Sequence, residues 1–166
     1  MPDSQRNGTR ERPILFLDVD GVISLFGFAP DAWPGRLQLV DGIPHCIGHG
    51  CGERIGRLAE RFELVWATGW EETANVYLPP LLGLGRELPC LRFDGRATWG
   101  SAHWKLEAID RYAGDRPAAW IDDNLTGECL DWSNRRPAPT LLIRTDPAVG
   151  LTDAHVQELL AWAERV

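Results

Sequence analysis

Long apolar runs are missing from this chain. No segment approaches the roughly eighteen consecutive apolar residues that a bilayer crossing requires. The opening residues, MPDSQRNGTRERP, are polar and of mixed charge, without the apolar stretch of a secretion signal. Insertion and export are therefore not expected, and a soluble, cytoplasmic protein is. Cysteine is scarce: Cys46, Cys51, Cys90 and Cys129 are the only four in 166 residues. A chain of this length, 44% hydrophobic, builds a core without covalent staples, so reduced thiols are expected. Positive charge is also in deficit. The 17 Lys and Arg against 24 Asp and Glu leave −7, a field that repels polyanions and disfavours nucleic-acid binding through bulk charge. Internal repeats and low-complexity tracts are absent, and the length leaves no room for a second full domain.

What is present is an alternation. Residues 1–12 read as a disordered leader and residues 13–166 as one domain. PILFLDV is a short continuous apolar run, the pattern of a strand covered on both faces. The Gly- and Pro-rich stretch 26–52 is too irregular for a long helix. RLQLVDGIPHCI within it is expected as a hairpin turning at Asp41-Gly42, part of a short flap over about 24–51. ERIGRLAERF puts Ile55, Leu58, Ala59 and Phe62 on one helical face and leads into ELVWAT, another buried strand. ETANVYLPPLLGLG predicts a shorter helix broken by Pro79-Pro80, with CLRF as a further strand. SAHWKLEAIDRYAG spaces Trp104, Ala108, Ile109 and Tyr112 for a helix capped by Ser101 and stopped at Gly114. RPAAWIDDN and TLLIRT are strand-like, and LTDAHVQELLAWAERV is an amphipathic helix capped at Thr152 or Asp153. Strands alternating with helices place the chain in the α/β class, as an open parallel sheet with helices on both faces.

The apolar runs end in chemistry. The first runs into Asp18-Val19-Asp20-Gly21, the second into Thr68-Gly69-Trp70, and the AAWI run into Asp122-Asp123-Asn124; Lys105 lies just ahead of that last strand. Open parallel sheets bind ligands beyond the carboxyl ends of their strands. Carboxylates gathered there repel one another, by about 4 kcal/mol for a pair roughly 4 Å apart at an effective dielectric near 20. A hard divalent cation removes that penalty. Mg²⁺ suits a site that offers few carboxylates and leaves positions for water and phosphate oxygens.

DVDGV, ATG, the lysine of HWKLEAI and WIDD stand in the order and approximate spacing of the four motifs of the haloacid dehalogenase (HAD) superfamily of phosphatases, which this sequence resembles over roughly residues 13–150. VWATGWEETAN and AAWIDDN also resemble a small bacterial branch with relatives in RNA-repair proteins. The resemblance implies a Rossmann-like, HAD-type sheet and a Mg²⁺-dependent phosphomonoester hydrolase. In it Asp18 is the nucleophile that forms an aspartyl-phosphate, and Asp20 is the acid and base, with its backbone carbonyl on the metal. Thr68 and the Gly69 N–H hold phosphoryl oxygens, and Lys105 neutralises charge on the nucleophile and the phosphoryl group. Asp123 is the first choice for the carboxylate completing the metal site and Asp122 the second. The presence of Asp20 favours hydrolysis. The spacings, about 45 residues from Gly21 to Thr68 and about 35 from Thr68 to Lys105, leave no room for a large cap domain. The expected partner is a phosphorylated substrate, small molecule or nucleic-acid end, and the sequence is silent on oligomeric state.

Taken singly, each motif has a plainer reading. Asp-x-Asp is also a solvated turn or a calcium loop, but Val22-Ile23 and the missing acid twelve positions in argue against calcium. Thr68-Gly69 alone is a cap or turn, and a lone helical lysine is usually solvated. HCIGHGC offers zinc-type ligands in His45, Cys46, His49 and Cys51, yet seven residues do not easily wrap one tetrahedral ion, and a strand lining the site is expected instead. Cys90, Cys129, Trp66, Trp120 and Trp162 are expected in the core. Trp70 and Trp104 adjoin Gly69 and Lys105, where an indole can stack on a base or ring. Arg92, Arg96 and Arg135-Arg136 are expected to be solvated, with distal phosphate binding as the sharper alternative. Two rivals to a general phosphatase remain: a phosphatase of nucleic-acid ends, and a binding module that keeps the fold without turnover.

Overall fold

Ile14, Leu15, Phe16 and Leu17 have no exposed surface, and they form β1 (Ile14–Leu17), the strand around which the rest is laid. The computed structural model describes residues 11–95 and 102–166; residues 1–10 of the expected leader, Arg96 and the expected cap Ser101 lie outside them. After β1 come β2 (Ser24–Leu25), β3 (Gly35–Val40), β4 (Ile43–Gly48), α1 (Cys51–Ala59), β5 (Glu63–Trp66) and α2 (Thr73–Leu82). A 3₁₀ turn (His103–Lys105) then leads into α3 (Leu106–Ala113), β6 (Ala118–Asp122), α4 (Gly127–Arg135), β7 (Thr140–Arg144) and α5 (Asp153–Ala163).

The main sheet has the order β5-β1-β6-β7 and every pairing in it is parallel. Alternate residues of each strand feed opposite layers. Leu15, Leu17, Leu64, Trp66, Ala119 and Ile121 pack with Ile55 and Leu58 of α1, Leu78 of α2, and Val156 and Leu159 of α5. Ile14, Phe16, Val65, Ala118 and Trp120 pack with Ile109 of α3 and with Cys129 and Trp132 of α4. The expected α/β sheet with helices on both faces is thus what forms. Burying a Leu, Ile or Phe contributes about 1.5–3 kcal/mol, so the side chains of β1 contribute about 6–12 kcal/mol. That is enough to hold an acid at the strand's end, where desolvation costs several kcal/mol.

The 24–51 segment is a three-stranded antiparallel sheet of order β2-β4-β3. Its hairpin turns where expected, with Asp41 at φ 50° and Gly42 at φ 79°, the paired left-handed residues that match the twist of two strands joined by two residues. Four elements differ from expectation. Pro79 and Pro80 lie inside α2 and do not break it, because Ala74, Leu78 and Leu82 anchor the helix in the core on either side of them. CLRF makes only a one-residue bridge, Cys90 to Trp66, at the edge beyond β5. The helix around Lys105 starts as the 3₁₀ turn, and α4 was not anticipated at all. The cysteines are free thiols, with Cys129 buried and Cys90 half-buried. No helix among the described residues is long and apolar enough to cross a membrane.

Candidate active site

From β1 the chain passes to β5 on one side, then returns to β6 on the other. The loops leaving β1 and β6 therefore lead to helices on opposite faces, and their carboxyl ends form the switch point where such sheets bind ligands. Asp18 follows β1 directly, its N–H continuing the ladder to the Ile121 carbonyl at 3.1 Å. Asp122 ends β6, and Asp123 follows. The backbone N–H of Ala102 donates to the Asn124 carbonyl, and the Lys105 N–H to the Ala102 carbonyl, so the lysine's turn is tied to the loop after β6.

Lys105 is the only lysine in the chain, and it is buried. Its Nζ lies 3.0 Å from Asp18 Oδ1 and donates to Asp122 Oδ2 at 2.6 Å. Asp18 Oδ1 also accepts from the Val19 N–H at 2.8 Å, and Asp122 Oδ1 accepts from the Asn124 N–H at 2.9 Å. Both oxygens of Asp122 are thus engaged. Asp18 Oδ2 and the Asp123 carboxylate have no side-chain donor among the described residues. Asp18, Asp122 and Asp123 each offer an oxygen within 4.8 Å of the others. A set made only of carboxylate oxygens fits a hard divalent cation, with Asp18 and Asp123 the acids left open to it.

One ammonium does not balance three carboxylates. Burial pushes the Asp18 carboxyl up to about 8, against the pull of Lys105. Burial, with Asp122 adding to it, pushes Asp123 up to about 6. For Lys105, burial favours the neutral amine but is outweighed by Asp18 and Asp122, and the ammonium is held above its ordinary range.

Asp20 stands apart from the three-acid cluster. Its Oδ2 accepts from the Trp70 indole N–H at 2.9 Å, and burial raises its carboxyl above the ordinary value while that hydrogen bond lowers it. Gly21, next in the chain, turns at φ 74°, and a Cβ there would lie 2.5 Å from Asp123 Cγ. The loops of β1 and β6 are thereby packed against each other. The end of β7 clamps both: the buried Thr145 hydroxyl donates to the Gly21 carbonyl at 2.7 Å, and Arg144 Nε donates to the Asp123 carbonyl at 3.1 Å.

The Thr68 loop leaves the sheet beside Asp18, since the Ala67 N–H donates to the Leu17 carbonyl at 2.8 Å. The Thr68 side chain is buried; its Oγ1 accepts from the Trp70 N–H at 3.2 Å, which leaves its own proton free to donate. Gly69 is exposed. Trp70 meets His45 of β4 edge-to-face, with ring centroids 4.7 Å apart, and His45 Nδ1 is 2.8 Å from Ser24 Oγ.

Asp18, Asp122, Asp123 and Lys105 therefore converge, Thr68 borders them, and Trp70 reaches Asp20. Trp104 contacts the group from the other side: the Lys105 ammonium lies 5.3 Å from its ring centre, and the ring packs edge-on against Phe93. Among the described residues, the basic candidates do not gather here. Arg92 pairs with Glu72, and Arg136 binds the carbonyls of Gly114 and Arg116 ahead of β6, at the sheet's opposite end. His45 and Cys46, adjacent in a strand, point to opposite faces, and the acid trio is the one metal-type cluster among the described residues. Sequence reasoning missed Arg144 and Thr145, whose signal was their place at a strand's carboxyl end, and Ser24 with His45, whose contact exists only once the hairpin folds back.

No curated protein matches the chain. A model of the family described as "HAD domain in Swiss Army Knife RNA repair proteins" matches residues 14–156, from β1 into α5. That span takes in every acid of the cluster together with Lys105 and Thr68, and the chain belongs to this family, a branch of the HAD hydrolase superfamily.

Proposed function

We propose that the protein is a Mg²⁺-dependent phosphomonoester hydrolase working through an aspartyl-phosphate at Asp18. The observation that carries this reading is the Lys105 ammonium held between Asp18 and Asp122, with the open Asp123 carboxylate alongside. A carboxylate oxygen of Asp18 attacks phosphorus as the bond to the leaving oxygen breaks, and Asp20, as the acid, gives that oxygen its proton. The alcohol departs. Asp20, now a carboxylate, takes a proton from water, whose oxygen attacks phosphorus; the bond to Asp18 breaks and inorganic phosphate leaves. Thr68 and the Gly69 N–H hold the phosphoryl oxygens, and Lys105 offsets the charge that gathers on them. Asp18, Asp123 and the Asp20 carbonyl would hold the metal, with Asp122 the reserve ligand, and the ion supplies positive charge against the phosphoryl group.

Purified protein with Mg²⁺ is expected to hydrolyse 4-nitrophenyl phosphate, to stop reversibly under chelator, and to lose about 10⁴–10⁶-fold in kcat on Asp18→Asn. Activity surviving either treatment contradicts the mechanism. A second reading, phosphatase action on nucleic-acid ends, is favoured by the family's description and opposed by the net charge of −7. It is upheld if turnover of a 3′- or 5′-phosphorylated oligonucleotide greatly exceeds that of sugar phosphates and mononucleotides. A chain that binds phosphate but turns over no ester is a silent binding module.

A further inference from the structure

The single hydrogen bond to the Asp20 carboxylate among the described residues comes from an indole. An indole N–H donates and cannot accept. With Oδ2 receiving that N–H, the proton of the neutral acid belongs on Oδ1. The indole is fixed in turn. Its ring stands at 65° to the His45 ring, His45 is held by Ser24, and the buried Ser24 returns to the start: it pairs with Asp20 in a one-residue bridge, and its carbonyl accepts from the Gly21 N–H at 2.7 Å. Four segments, the exits of β1 and β5 together with β2 and β4, thus close a ring of contacts around one carboxylate.

We infer that Trp70 is a positioning residue that fixes Asp20 for proton transfer to the leaving oxygen, and that His45 and Ser24 of the hairpin hold Trp70 in place. The inference rests on the phosphatase reading above. A donor aimed correctly matters because general-acid catalysis depends on geometry within hydrogen-bond reach of the reacting oxygen. The same contacts weigh against Trp70 as a platform for a base, since its N–H is spent on Asp20 and its ring already meets His45.

The test uses kcat/KM, which reports the first phosphoryl transfer, over phosphomonoesters whose leaving groups run from 4-nitrophenol, which departs without a proton, to simple alkyl alcohols, which need one. With the full chain and Mg²⁺, Trp70→Phe keeps the ring and removes the N–H. Its loss is expected to be about ten-fold larger on alkyl than on 4-nitrophenyl phosphate, a fraction of the usual contribution of a general acid. His45→Ala is expected to shift the ratio in the same direction by less, and His45→Phe, which keeps the ring contact, to restore part of it. Equal losses across the series overturn the inference while leaving the phosphatase reading intact. So does an effect confined to the KM of nucleotide substrates, which marks a stacking role instead. If Trp70→Phe does not fold, the ratio for Ser24→Ala decides in its place, and an unchanged ratio there overturns the inference. Wild-type protein inactive on the whole series removes the phosphatase reading itself.

Discussion

At Gly21 the main chain turns off β1 with its Cα against the Asp123 side chain, so two separate demands fall on one residue. A side chain there is strained by the positive φ, at about 1–3 kcal/mol, and must also displace the Asp123 carboxylate. Gly21→Ala is therefore expected to lower the unfolding free energy obtained from urea denaturation by that amount, and to reduce whatever stabilisation added Mg²⁺ confers. Only the first effect is expected at a merely strained turn, so denaturation with and without the ion separates them. Lys105→Met removes the one cation between two buried acids, and breaking a buried pair from one side costs about 3–5 kcal/mol. Lys105→Arg is not expected to restore activity, since a planar fork does not replace a point charge with three donors. At this scale the sequence was readable where a motif stays within a few residues of a strand end, as with Asp18, Thr68 and Asp122-Asp123. It was unreadable where a role is created by folding: His45 matters through Trp70, twenty-five positions away in the chain.

Among the elements, β1, β5 and β6 were legible because strands covered on both faces must be apolar throughout, and the hairpin was legible because Asp-Gly fits its turn. α4 was not, since its nine residues bury only Cys129 and Trp132, and its other positions are polar or small apart from Leu130, which faces solvent. The proline rule misled at α2 because it describes the local backbone, whereas core packing around Leu78 and Leu82 decides. α5 carries the clearest cap. Thr152 Oγ1 accepts from the His155 N–H at 3.3 Å, and the Thr152 N–H donates to His155 Nδ1 at 3.2 Å. Thr152→Ala is expected to cost about 1 kcal/mol by denaturant unfolding. Burial holds the His155 ring below its ordinary value of 6.5, against the pull of Glu158, and protonating Nδ1 would break its hydrogen bond from the Thr152 N–H. A depressed histidine contributes stability that is complete above the unfolded value and lost as pH falls through the folded one. The cost of His155→Ala is thus expected to be smaller at pH 5 than at pH 8.

Over the whole molecule, the acid cluster ties stability to pH and, under the proposed function, to the metal as well. Asp18, Asp20 and Asp123 are all raised, so between about pH 4, where unfolded carboxyls ionise, and the folded values of about 6 for Asp123 and about 8 for Asp18, the native state binds more protons than the unfolded one. Without divalent cations, stability is expected to fall as pH rises through that window. Mg²⁺ held as proposed would bind the ionised acids, so the melting-temperature gain it gives is expected to grow from pH 5 to pH 8. At about 100 times its dissociation constant the gain is about 2.7 kcal/mol, or about 5–10 °C, and a gain that shrinks with pH contradicts a carboxylate metal site. The strand order β5-β1-β6-β7, which brings these acids together, could be expected from the motif resemblance but not from periodicity, because each buried strand reads alike in isolation. The solitary lysine carries one more consequence. Acetylating or otherwise acylating reagents that seek ε-amines have a single address in this protein, and it is shut inside the cluster. Labelling there would strip the counterion from two acids at once, so the rate at which such a label appears measures how often the cluster opens, with no substrate needed to ask the question.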